Sequence, residues 1–106
     1  MGIGAVLIYK INHNNENNNI GYYEISSCHF DINNFYMSID KSTNIIKFFA
    51  TNNFDGDPIR IVNYNNKDEK LGCIPGMPMT VLGIVFGQAF KVLKMDTFPK
   101  DLHYMA

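Results

Sequence analysis

The first two-thirds of the chain alternates short apolar runs with clusters of turn-forming residues, the pattern of strands joined by tight connections. Ile3–Ile11 and Ile20–Ser26 flank an Asn-rich stretch, Phe35–Ile39 and Asn44–Thr51 flank DKST, and Ile59–Tyr64 follows Pro58. Connections this short pair neighbouring strands antiparallel, so a meander is the simplest topology. LGCIPGMPM is too rich in Gly and Pro to be regular, and from Pro78 or Thr80 to Met95 the apolar positions take a helical period. The expected fold class is α+β: a curved antiparallel β-meander of about five strands packed on one C-terminal helix, with residues 1–106 forming a single domain. The tail FPKDLHYMA carries Phe98, Leu102, Tyr104 and Met105 and is expected to dock on the body.

The helix is too apolar for one flat contact. At about 100° per residue, Thr80, Gly83, Gly87, Lys91 and Lys94 share a narrow stripe, opposite Val81, Leu82, Val85, Phe86, Ala89, Val92 and Leu93. Ile84, Phe90 and Met95 flank that stripe, so the apolar arc covers about two-thirds of the circumference. The sheet is therefore expected to curl around the helix, or a second layer to cover it. Gly83 and Gly87 each weaken a helix by about 1 kcal/mol relative to alanine, and their register predicts a close contact with a strand, the tail or another helix. The strands raise the same issue. Ile3, Ala5, Leu7, Tyr9 and Ile11 oppose Val6 and Ile8, and Ile45 and Phe49 oppose Ile46, Phe48 and Ala50. Strands apolar on both faces are covered on both sides, yet one helix covers one side. The tail or a partner chain is expected to cover the other.

Composition narrows the function classes. Charged residues, at 18%, fall below the usual quarter or so, and 14 Asn make up the difference, concentrated in INHNNENNNIG, ATNNFDGDP and VNYNNKDEK. A net charge of −1 and a pI near 6.2 give no basic footprint for phosphate backbones, which argues against a nucleic-acid partner. Met1–Lys10 lacks the basic n-region and long apolar h-region of a signal peptide and reads as a strand. The longest uncharged run, Leu71–Phe90, is broken by Gly72, Pro75, Gly76 and Pro78, which argues against a membrane span. A soluble, cytoplasmic chain is expected.

Candidate chemistry is sparse. SSCHFD places Cys28, His29 and Asp31 together, but neighbours on an extended chain point apart, and Cys73, His13 and His103 add no zinc spacing. Neither a metal, a cofactor nor a disulfide is expected. A Cys73–His103 nucleophile and base would require the fold to bring them together. NNFDGDP matches the third, fifth and sixth positions of a calcium loop at Asn53, Asp55 and Gly56, but lacks the charged first ligand and the bidentate Glu. LGCIPGMP lacks the spacing and lysine of a phosphate loop.

What remains is a contact surface. Asp55 and Asp57 flank a glycine beside Phe54, an acidic loop with an aromatic anchor suited to a basic partner. Tyr36, on a strand, is a further contact candidate. The leading expectation is a non-catalytic protein-binding module, most concretely an immunity or inhibitor protein that neutralises a toxin enzyme. The alternatives are a small-ligand protein or enzyme with a pocket between sheet and helix near Cys73 and His103, and a homodimeric structural protein.

Overall fold

A computed structural model describes residues 5–27, 34–66 and 73–105 of the chain. Its elements run β1 (Ala5–Ile11), β2 (Ile20–Ser27), β3 (Phe35–Asp40), β4 (Ile45–Phe49), β5 (Arg60–Asn63), α1 (Met79–Leu93) and β6 (Asp101–Met105). The strands form one antiparallel sheet in the order β5-β4-β3-β2-β1-β6, with the helix packed against it. The expected meander is present, and the tail adds a sixth strand beside β1.

The asparagines explain how such short connections close. Asn17 accepts from the N–H groups of Asn19 and Ile20, Asn53 from that of Asp55, and Asn63 from that of Asn65. Each side chain replaces a backbone acceptor within its turn. In the β3–β4 turn, Asp40 accepts from the Ser42 N–H and hydroxyl, while Asn44 sits at φ 59°, a left-handed conformation that asparagine tolerates. The Asn bias thus has a physical use in turn construction.

One sheet face and the helix enclose the core. Across the sheet the register lines up Leu102, Ile8, Ile25 and Phe35 in one row, Tyr23, Met37 and Phe48 in the next, and Ile39, Ile46 and Val62 in a third. Val81, Leu82, Val85, Phe86, Ala89 and Val92 meet them from the helix. At about 25 cal/mol per Å², burial of these side chains is the main force holding the helix to the sheet. The helix flank is covered by aromatics: Phe90 stacks on Phe86 at 5.8 Å and meets Tyr64 at 4.9 Å. Pro78 stands at the N-cap with ψ 146°, just before the first turn and not within it. Among the described residues, no helix is long and apolar enough to cross a membrane.

The covering of the second face differs from expectation. The tail does not lie across that face; it extends the sheet at the edge of β1, where unpaired backbone groups accept a strand. Three contacts hold its approach. Tyr23 Oη donates to the Pro99 carbonyl at 2.7 Å, the Lys10 N–H donates to the Lys100 carbonyl at 2.7 Å, and Phe98 lies on Gly21.

Candidate functional site

Strand register places Tyr9, Glu24, Tyr36 and Phe49 in one row on the face away from the helix, and Ile11, Tyr22, Ser38, Lys47 and Ile61 in the next. The β4–β5 connection folds over part of this face through Phe54. Its ring meets Tyr22 at 4.7 Å, Phe49 at 5.2 Å, Tyr36 at 6.2 Å and His13 at 5.2 Å, mostly in tilted or edge-on geometry. Such pairs each contribute about 0.5–1.5 kcal/mol beyond their buried area. Phe54 is therefore half-buried, the anchor that seats its own loop. Asn15 donates to Asp55 at 3.4 Å, which links this loop to the β1–β2 connection. That connection is itself pinned by a Lys10–Glu16 ion pair, and the hydrogen bond from Lys10 holds the Glu16 carboxyl below its ordinary range.

With Phe54 turned inward, the loop presents Asp55 and Asp57, both exposed. Tyr36 is half-buried beside it, while Ile59 and Ile61 on the β5 side stand 40% and 50% exposed. Glu24 and Asp40 project from the same face by register, and among the described strand residues Lys47 is its one cation. Burial, and after it the negative charges of Asp55, Asp40 and Glu16, push the Tyr22 phenol above its ordinary value. Among the described strand residues the face thus carries acidic side chains, Glu24 and Asp40, in the same rows as Tyr9, Tyr36, Phe49 and Tyr22 or next to them. The lysines of α1, Lys91 and Lys94, lie on the other side of the molecule.

Ser38 is a site residue that the sequence reading passed over. It is the single buried polar side chain among the described residues, 5% exposed, and it lines a pocket with Asp40, Lys47, Thr43, Ile20 and Ile45. Its signal in the sequence is a serine where the β3 pattern YMSID has apolar residues on either side. His13, weighed in the sequence only as a metal ligand, buries its Nε2 without a hydrogen-bond partner among the described residues.

The remaining candidates do not converge. Gly83 and Gly87 are exposed, and a Cβ built on either meets nothing within 4 Å. The close contact expected there is thus not made by any described strand, tail or helix segment, because the tail departs along β1 and leaves the outer face of α1 open. Met79, Thr80, Ile84 and Gln88 complete a shallow groove around the two glycines. Cys73 is an exposed free thiol whose Sγ lies 3.7 Å from Met79 Sδ. Cys28, His29 and Asp31 lie outside the described residues, as does the side chain of His103. Between sheet and helix, Ile8, Ile25, Met37, Phe48 and Val85 are at most 1% exposed. No group of three or more His, Cys, Asp or Glu placed to hold a metal occurs among the described residues. Comparison with family models, curated proteins and solved structures finds no match to this chain.

Proposed function

We propose that this chain is a non-catalytic protein-binding module, most concretely an immunity or inhibitor protein, that takes a basic partner on the sheet face away from α1. The observation that carries the reading is the charge of that face: Glu24 and Asp40 project from it by register, the loop seated by Phe54 presents exposed Asp55 and Asp57, half-buried Tyr36 and exposed Ile61 share it, and Lys47 is its one cation among the described strand residues. Apolar and aromatic anchors inside a charged rim are the usual anatomy of a protein contact. Like-signed rim charges steer an oppositely charged partner and select against others.

The test starts with a partner recovered from the native host, whose affinity is then measured at two ionic strengths. Asp55→Asn with Asp57→Asn weakens the complex and flattens its salt dependence, and Ile61→Asp weakens it further. Lys91→Ala with Lys94→Ala, on the far side, leaves it unchanged. A complex indifferent to the first three substitutions, or one lost with the helix pair, ends this reading.

A further inference from the structure

The pocket at Ser38 is small and chemically mixed. Its volume of about 180 Å³ lies below the roughly 300–1,000 Å³ of small-molecule sites and suits a single side chain. Ile20 and Ile45 supply apolar walls, standing on either side of Asp40 in the register. Ser38, between Tyr22 and Lys47 across the strands, lines the pocket from a buried position. Thr43 closes the end at the β3–β4 turn. Asp40 holds that turn through Oδ1, which accepts from Ser42, and this leaves its second carboxylate oxygen for an incoming donor. Asp40 and Lys47 line the same pocket without pairing to each other.

We propose that this pocket receives an arginine side chain of the basic protein partner. The inference rests on the protein-binding reading above and assigns the contact that sets its specificity. A guanidinium is planar and carries donors in a fixed fork, so it can reach the Asp40 carboxylate, the Ser38 hydroxyl and the Thr43 end together. Its flat face and methylene stem rest on Ile20 and Ile45. The surrounding charges favour a cation: Asp55 stands on the loop that also covers Tyr22, and Glu24 is on the same face. Lys47, the opposing charge, is exposed on a flexible stem and can turn to solvent.

The pocket can be tested without the partner. N-acetyl-arginine methylamide is titrated into isotopically labelled protein and the backbone amide signals are followed, with the citrulline analogue as the uncharged control of the same shape. Saturable shifts at Ser38, Asp40 and Ile45 with the arginine compound, absent with the citrulline compound, are expected. Asp40→Asn keeps the turn acceptor while removing the charge, and Ser38→Ala removes the hydroxyl with little change in volume. Each weakens binding on the order of tenfold or more, the effect of a lost hydrogen bond to a charged group. Lys47→Ala strengthens it. Absence of saturable shifts, equal shifts with the citrulline compound, or loss of binding in Lys47→Ala overturns the assignment. Those results leave the Asp55 and Asp57 test of the complex standing, so failure of the pocket and failure of the protein-binding reading are distinguishable.

Discussion

The ring of Phe98 occupies the space that a side chain on Gly21 would fill: a Cβ built there falls 2.6 Å from Cδ1, 2.8 Å from Cε1 and 2.9 Å from Cγ. Gly21 lies on the helix-facing side of β2, opposite Ile39, at the point where the chain leaves α1 to reach β6. Lys41 completes the junction. Its ammonium stands 4.3 Å from the centroid of the Phe98 ring and donates to the Met95 carbonyl just beyond the helix end.

Gly21→Ala should therefore destabilise the protein by about 1–3 kcal/mol, the usual cost of overfilling a packed site. The cost comes from crowding alone, since the substitution replaces no strained backbone. Phe98→Leu in the Gly21→Ala background should recover part of the loss, which a double-mutant cycle by chemical denaturation measures. Additive effects would mean that the two positions do not share this space.

Tyr23 ties the same junction to pH. Burial pushes its phenol well above the ordinary value of 10.0, and its hydroxyl donates to the Pro99 carbonyl. Because the folded state resists ionisation, the unfolded chain loses this proton first, and stability falls as pH rises past the unfolded value of about 10 toward the raised folded one. Tyr22, also raised, acts in the same direction. Unfolding midpoints measured from neutral to strongly alkaline pH should decline above about pH 10, and less steeply in Tyr23→Phe. At neutral pH that variant should lose about 1 kcal/mol with its hydrogen bond. An unchanged alkaline slope would show that Tyr23 is not what the folded state protects.

The sheet order from β1 to β5 and the buried side of α1 are legible in the sequence because period and turn chemistry are local. Val81, Leu82, Val85, Phe86, Ala89 and Val92 are buried as the helical projection places them. The tail is legible only as apolar: its pairing with β1 is non-local and depends on the gap at Gly21, which no periodicity records. The second face is harder still. In the sequence Phe54 reads more readily as tucked inward than as an exposed anchor, but only the fold brings Tyr22, Phe49 and His13 to meet it. Ser38 is hidden for a similar reason, since its burial follows from neighbours on two other strands.

The aromatic cluster gives a pair of opposed expectations. Phe54→Ala removes a half-buried ring with four aromatic neighbours and should cost about 2 kcal/mol while exposing residues 50–59 to proteolysis. His13→Phe should instead stabilise by about 1 kcal/mol, because it replaces a buried Nε2 without a described partner by an apolar edge of similar shape. Thermal unfolding and limited proteolysis of the two variants check both. A destabilised His13→Phe would mean that the imidazole nitrogen has a partner in solution.

The outer face of α1 gives the last expectation. Gly83 and Gly87 lie one turn apart with open space where their Cβ atoms would be, and with Met79 60% exposed at the start of the helix. In a monomer each glycine only loosens the helix, so Gly83→Ala with Gly87→Ala should stabilise the protein by about 1 kcal/mol per site. If a second copy packs there, the added methyls meet its backbone, and the double variant loses stability together with the dimer. Charge argues for the monomer. α1 carries no acidic residue in its first turn and a lysine in its last, so an antiparallel copy would bring Lys91 toward the positive end of the facing helix. A parallel copy would place like charges side by side. Thermal unfolding of the double variant, beside the sedimentation mass of variant and parent, decides between them: a raised melting temperature at unchanged monomer mass is expected, and a dimeric parent that dissociates in the variant would assign this face to self-association.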